Sequence, residues 1–447
     1  MIITQLASLR SNRCTFFSAP FTLFLWTNGA SRQVIESLYT CGLTISYSSL
    51  LNLLGILGTQ CIETACHIAR GPHLLCWDNI NLSTSTFVEQ RTDAPAKVQS
   101  GTFSILYEAR NATLEHMRLG PILQRVANAT DLAFNIDIRP SPLQLTSFLH
   151  QLQVHVVSVL LTYSKHFDDY VRPAAALKHR ERRKLPSGFP TKQSPLRTST
   201  IDESSVSGNI AVINDVYLTQ LQMTPEELND RAIPSINDQS TNACIRGAKA
   251  LRTKDVDPFN RIQNLQLGFG LFHLCLNLTW ALLHVHRGTI NQVGSLSYFF
   301  SLLDRRWLGC EHPDYHTLLS TFMQILDGII LNAWNAECGH SNLAAFAKSN
   351  PTADELLRLA KIILRKHATP SLADSSDTAH HNLQLLTRDL LYVKEVVSAI
   401  SDGDWGRIED ILGYLTMMFR ASGSNNYCTE ILHFLFNLKK VWPPEFA

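Results

Sequence analysis

Two acids in this chain close short apolar runs. In His73–Asn81, HLLCWDNIN, the bulky residues Leu74, Leu75, Cys76 and Trp77 lead straight into Asp78; in Ile233–Gln239, IPSINDQ, the run ends on Asp238. Each run is short, and the first is bounded by Gly71-Pro72 and Asn79, so both read as buried strands. An acid at the end of a buried strand is costly unless it is paired, hydrogen-bonded or bound to a cation. The plain alternative is an Asp that caps the following turn. The repetition argues for more, because two such strand ends would set two carboxylates side by side.

Other residues with chemical reach are fewer. Lys178–Lys184, KHRERRK, is the densest basic run, and Pro186, Ser187, Gly188 and Pro190 follow it. It is expected to end a helix and enter a loop, where Lys178, Arg180, Arg182, Arg183 and Lys184 would steer nucleic-acid phosphates toward an acidic metal site. A solvated linker is the plain alternative. Asp202 and Glu203, within Thr200–Ser204, are a reserve acid pair. Cys310-x-His312 and Cys338-x-His340, with His316 nearby, offer four zinc ligands. Their spacing is not that of a standard zinc knuckle, and each pair lies near an expected helix end.

The elements that must position these residues change character along the chain. Ser31 is expected to cap a helix carrying Val34, Ile35 and Leu38 that ends at Gly42; a second helix carries Leu50, Leu51, Leu53 and Leu54. Helix, turn, helix outlines a DNA reader, yet Gln33 to Ala69 contains no Lys or Arg to grip phosphate, so ordinary helix packing is expected. From Gly71 the period becomes that of strands, placed at 73–78, 84–90 and 101–109 as a meander. A helix is expected from Pro142 to Tyr170. Thr224-Pro225-Glu226-Glu227 is a capping box that starts a helix ending before Pro234, where the strand at 232–237 begins. Beyond Asp238 come helices at Leu265–Val285, His316–Trp334, Thr352–Lys366, Leu383–Ile400 and Trp405–Phe419. Leu265–Val285 is apolar over about the length of a membrane span. It carries His273, Asn277 and His284 on one stripe, so a buried helix at the centre of a helical block is expected instead.

Composition bounds the rest. The 447 residues are 45% hydrophobic, enough for more than one core. A net charge of +1 gives no general attraction to nucleic acid or membrane, so any such partner needs a local patch. Ten cysteines without a closely spaced framework suit a reducing compartment. Sequons at Asn81, Asn111, Asn128 and Asn277 read as chance matches, one of them inside a strongly apolar segment. Arg10 and Arg13 precede the apolar patch Phe16–Trp26, but Ser18, Pro20 and Thr22 interrupt it and no clear cleavage site follows. A nuclear or cytoplasmic protein, neither secreted nor in a membrane, is expected.

Four blocks carry a family resemblance. IPSINDQSTNACIRGAKAL from Ile233, LQLGFGLFHLCLNLTWALLHVHRG from Leu265, CEHPDYHTLLS from Cys310 and RASGSNNYCTEILHFLFNLKKVW from Arg420 resemble the fungal domain-of-unknown-function family 6589. The similarity runs through nearly the whole chain. That family looks transposon-derived, and its domain resembles transposases with a ribonuclease-H-like core. The resemblance implies first and fourth strands that are adjacent and parallel, each ending on an acid, with a third acid on a late helix. Asp78 and Asp238 match the strand positions in order. Glu430, opening the apolar helix Ile431–Leu438, matches the third, although a first-turn Glu is also a simple helix-dipole contact. Such acids hold two divalent metals about 3.5–4 Å apart, which stabilise both the attacking and the leaving oxygen of a phosphodiester. Hard oxygen ligands suit Mg²⁺ or Mn²⁺ rather than zinc.

The expected fold is α+β, a ribonuclease-H-like mixed sheet with a large all-helical insertion and a helical N-terminal region. The N-terminal helices take residues 1–70, the first part of the core 71–245, the insertion 246–420 and the closing helix of the core 421–447. Three function classes follow. The first is a metal-dependent nuclease or transposase acting on DNA through Asp78, Asp238 and Glu430. The second is a non-catalytic remnant of a mobile element that binds DNA or other proteins. The third is a structural helical protein with incidental acids. Acid order and resemblance favour the first two. The near-neutral charge and the abrupt ending at Trp442–Ala447, where family members extend further, favour the second over the first.

Overall fold

A computed structural model describes residues 5–6, 10–11, 14–83, 98–170, 176–370 and 377–447. The chain is a mixed α+β protein with one five-stranded sheet of order β3-β2-β1-β4-β5. The strands are β1 His73–Ser83, β2 Val98–Glu108, β3 Gln193–Pro195, β4 Ile233–Asn237 and β5 Leu265–Phe269. β1 and β2 pair antiparallel from His73 opposite Glu108 to Ser83 opposite Val98. β3 continues that pattern on β2, with Ile105 opposite Pro195. β4 joins β1 on the other side and runs parallel to it, Leu75 opposite Ser235. Between β4 and β5, Ile233 N donates to Asn264 O at 2.7 Å and Gly270 N to Asn237 O at 2.8 Å. Residue numbers rise together along both segments, which is the parallel sense.

The expected adjacency of the first strand and the strand at 232–237 is therefore present. Two features differ from expectation. β1 does not stop at Asp78: Asn79 to Ser83 extend it along β2, so Asp78 sits within the strand rather than at its end. Leu265–Phe269, expected to open a long helix, is strand β5, and the helix begins only after Gly270, at Leu271. The interval 246–420 is thus not wholly helical. A short, fully buried apolar run looks the same in either conformation, and here the glycines at 268 and 270 break the helical option. The strand expected at 84–90 lies outside the described residues.

The chain divides into two compact units, and both β4 and β5 carry it from the first to the second. The first unit holds Met1–Arg118, Thr191–Ser235 and Cys244–Gln266. Its N-terminal part is helical as expected, with helices Ser18–Thr27, Arg32–Thr40 and Tyr47–Arg70. Ser31 and Ser46 cap the second and third by accepting from Val34 N at 3.3 Å and Ser49 N at 3.2 Å. Ile35, Ile45 and Leu50 form their core, with Leu23 and Leu54 packed against it. Along β1, His73, Leu75 and Trp77 are buried, whereas Leu74 and Cys76 on the opposite face are half-buried and Asp78 is exposed. The period of two is that of a strand with one face in a core.

The second unit holds Leu119–Pro190, Ile236–Ala243 and Leu267–Ala447. The helix Pro142–Tyr163 starts on a capping box formed by Ser141 and Gln144 and buries Phe148, Val156, Val157, Val159 and Leu160. Among the described residues it is the one helix long and apolar enough to cross a membrane, and it lies mostly inside the protein. Trp334 of the helix Tyr315–Glu337 donates its indole N–H to Val156 O at 2.9 Å. The helices Ala353–His367, Thr378–Asp402, Trp405–Ala421 and Asn425–Phe436 complete the unit together with Leu271–His286. Burying one aliphatic side chain fully is worth roughly 1.5–3 kcal/mol, so this apolar packing is the main source of stability here.

Candidate functional site

Asp238 follows β4 and opens the helix Gln239–Leu251. Its Oδ1 accepts from Thr241 N at 2.7 Å and its backbone oxygen from Asn242 N at 3.1 Å, so the carboxylate caps the helix while staying half-buried. Asn242, one turn on and fully buried, links three elements. Its Nδ2 donates to Glu430 Oε1 at 2.7 Å and to Gly268 O at 2.9 Å, and its Oδ1 accepts from Asn237 Nδ2 at 3.3 Å. Gly268 permits this closeness, since a Cβ there would lie 2.6 Å from Ile236 Cδ1.

Glu430 is only 3% exposed. It is expected in the first turn of a helix, but the helix runs Asn425–Phe436 and places it in the middle. The helix-dipole reading of Glu430 therefore falls away. Tyr427, one turn earlier, has its phenol pKa pushed up by burial and further by the charges of Asp238 and Glu430. Two carboxylates from distant parts of the chain thus meet around Tyr427 and Asn242. Hard oxygen donors are the chemistry that Mg²⁺ and Mn²⁺ take.

Asp78 is exposed on β1 and accepts from Asn79 N at 2.8 Å. The reserve acids differ from each other. Asp202 accepts from Ser204 N at 2.9 Å, and the hydrogen bonds from Ser204 hold its carboxyl below the usual range. Glu203 is buried, and its backbone oxygen accepts from Asn209, whose Oδ1 takes the indole N–H of Trp77 at 3.0 Å.

The basic run is not the end of a helix. Residues 178–184 form an irregular strap laid on the first turn of the helix Trp405–Ala421. Asp404 holds it there, accepting from Arg182 N at 2.9 Å and Arg183 N at 2.8 Å while capping its own helix through Arg407 N. Arg182 Nε bonds Asp410 at 2.9 Å, and Arg183 pairs with Glu409. Lys184 lies 3.5 Å from Glu181, both well exposed. Among the described residues Lys178 and Arg180 make no ion pair, and both are exposed. Two of the five cations thus hold the strap in place rather than face a partner.

One cluster has no sequence signature. His155, His179 and Glu395 bring their candidate ligand atoms within 4.8 Å of one another, the single such group among the described residues. His155 Nε2 is 2.7 Å from Glu395 Oε2, and Arg407 grips the same carboxylate through Nε at 2.8 Å and a terminal nitrogen at 2.7 Å. Burial lowers the pKa of His155 although Glu395 pulls it up; burial, then His155 and Arg407, push His179 down to about 3. Burial alone would raise the pKa of Glu395, but His155 and Arg407 hold it below the usual range. Glu395 lies 240 residues beyond His155, so no local motif marks the site. The cysteine–histidine pairs do not form such a group: His312 packs edge-on against Trp280, His340 lies beside Phe346, and Cys310 is exposed whereas Cys338 is buried.

A model of a family of unknown function, DUF6589, matches residues 127–447. No curated protein and no solved structure matches the chain.

Proposed function

We propose that this chain, which belongs to the family of unknown function DUF6589, is a transposase-derived protein with a ribonuclease-H-like core. In this reading Asp78, Asp238 and Glu430 hold Mg²⁺ or Mn²⁺ for phosphodiester cleavage or strand transfer on DNA. The observation that carries the reading is the sheet. β1 and β4 are neighbours and parallel, with Leu75 opposite Ser235. Three residues further along each chain stand Asp78 and Asp238. A ribonuclease-H-like core needs that adjacency, and it needs a third acid from a late helix; Glu430 beside Asn242 and Tyr427 supports that role.

In the proposed reaction these carboxylates fix the ions, and the ions supply charge stabilisation for the attacking and leaving oxygens. Asn242 orients Glu430, and Thr241 N orients Asp238. Such outer partners hold ligating carboxylates in place. Lys178, Arg180 and Lys184 are the cations open to phosphate.

A second reading, a non-catalytic remnant that binds DNA or other proteins, draws on a specific observation. Arg182 and Arg183 are already neutralised by Asp410 and Glu409. The experiment is Mg²⁺- or Mn²⁺-dependent cleavage of DNA by the purified chain, beside Asp78→Asn, Asp238→Asn and Glu430→Gln. Asn caps helices as well as Asp does, so Asp238→Asn should fold normally. Loss of a ligand should cost about 100-fold or more, since a metal supplies several kcal/mol and each 1.36 kcal/mol is tenfold. Equal activity in all four proteins would remove the metal mechanism. Inactivity in all, with DNA binding retained, would select the remnant.

A further inference from the structure

The His155, His179 and Glu395 cluster is more than a satisfied core network. We infer that these three side chains form a binding site for one divalent transition metal ion, zinc by ligand type, that fastens the 178–184 strap to the helices beneath it.

The donor set is two imidazoles and one carboxylate, a combination that zinc accepts, with the fourth position left to water. The ligands come from three segments: His155 from the helix Pro142–Tyr163, His179 from the strap and Glu395 from the helix Thr378–Asp402. Tetrahedral zinc with bonds near 2.1 Å separates its ligand atoms by about 3.4 Å. The three candidate atoms already lie within 4.8 Å of one another, so side-chain rotation alone closes the set.

The surroundings are those of metal-ligating residues. His179 Nδ1 is 2.9 Å from Gln151 Oε1, an acceptor, so Nδ1 carries the proton and the Nε2 lone pair is left for a metal. Gln151 is itself fixed, its Nε2 donating to Arg180 O at 2.8 Å. Arg407 orients Glu395 from the other side. Arg407 pairs with two carboxylates, Glu395 and Asp402. The rings of His155 and His179 lie 4.5 Å apart. Two neutral imidazoles side by side gain little from each other, whereas a shared cation makes the arrangement useful.

Binding replaces the His155–Glu395 hydrogen bond. The His155 imidazole passes to its Nδ1–H tautomer and Nε2 turns its lone pair to the ion, with no net proton released. Access is provided by a cavity of about 380 Å³ lined by Val157, Leu161, His179, Lys184 and Arg407. The same cavity would hold the fourth ligand, a water.

The test is competition of the full chain with a chromophoric chelator for Zn²⁺, followed by Co²⁺ substitution. One equivalent should bind, and tetrahedral Co²⁺ bands should appear without thiolate charge-transfer absorption. His179→Gln, at a half-buried position of the strap, should fold normally and weaken binding at least tenfold; Glu395→Gln should also weaken binding but destabilise the fold, because it leaves the Arg407 guanidinium without its buried carboxylate, and Cys338→Ser should leave binding unchanged. Zn²⁺ should also slow trypsin cleavage after Lys178 and Arg180 in the wild-type chain but not in His179→Gln. Binding no tighter in the wild type than in His179→Gln would overturn the inference, as would thiolate absorption abolished by Cys338→Ser.

Discussion

His73 sits on β1 with 1% of its surface exposed, its Nδ1 2.9 Å from Gly71 O and its Nε2 3.2 Å from the Tyr217 hydroxyl. Nδ1–H donates to the carbonyl and the phenol donates to Nε2, so a second ring proton would break one bond and bury a charge. Burial accordingly lowers its pKa to about 4. Protons then prefer the unfolded chain, where the imidazole titrates near 6.5. The stabilisation is full above about pH 6.5 and is lost as pH falls toward 4, amounting to about 3 kcal/mol at the limit. Urea unfolding at pH 7, 6, 5 and 4.5 should show that decline, and His73→Gln should make it shallower, leaving the part due to the buried His155 and His179; an unchanged slope in the variant would assign the decline elsewhere. Asn242 gives a second residue-scale expectation. Asn242→Leu strips Glu430 Oε1 of its buried donor and should cost about 1–3 kcal/mol of unfolding free energy, more than Thr241→Ala. Residue chemistry was only partly legible in the sequence. Asp238 was readable both as a strand-end acid and as a cap, and it caps. Glu430 is expected to open the apolar helix Ile431–Leu438, but the helix already begins at Asn425, before the apolar run. His155, His179 and Glu395 were invisible because tertiary packing, not spacing, brings them together.

At the scale of elements, the strap shows how a basic run can be structural. Gly406 in the first turn of the helix Trp405–Ala421 lets it lie close: a Cβ there would stand 2.5 Å from Arg182 Cβ and 2.8 Å from Arg183 N. Gly406→Ala should therefore force strap and helix apart, at a cost of about 1–3 kcal/mol that outweighs the better helix propensity of Ala. Chemical denaturation measures it, and a stabilised variant would show that the strap yields freely. The run is expected to end a helix because Pro186, Ser187, Gly188 and Pro190 follow it. Bonds from Arg182 N and Arg183 N to Asp404, more than 200 residues away, hold the backbone extended instead. Strand β5 was misread for a related reason. LQLGF is apolar enough for a buried helix, and the glycines at 268 and 270 together with pairing to β4 decide for the strand. Strands β1, β2 and β4 were legible because their β-branched, aromatic and aliphatic residues alternate or run between turn formers.

For the whole molecule, the α+β class, the helical N-terminal region and the parallel β1–β4 pairing were all readable from sequence. The division into two units was not, because β4 and β5 each pass from one unit to the other and composition does not change there. The central claim is that Asp78, Asp238 and Glu430 hold divalent metal in one site. Fe²⁺ substituted for Mg²⁺, with ascorbate and peroxide, cuts the backbone close to the bound ion, and mass spectrometry locates the cuts. Cuts should cluster around residues 78, 238 and 430, fade with excess Mg²⁺ and vanish in Asp238→Asn, whereas any near 155, 179 and 395 should fade with Zn²⁺. Fe²⁺ cleavage that spares residues 78, 238 and 430, or that ignores both Mg²⁺ and Asp238→Asn, would contradict the account.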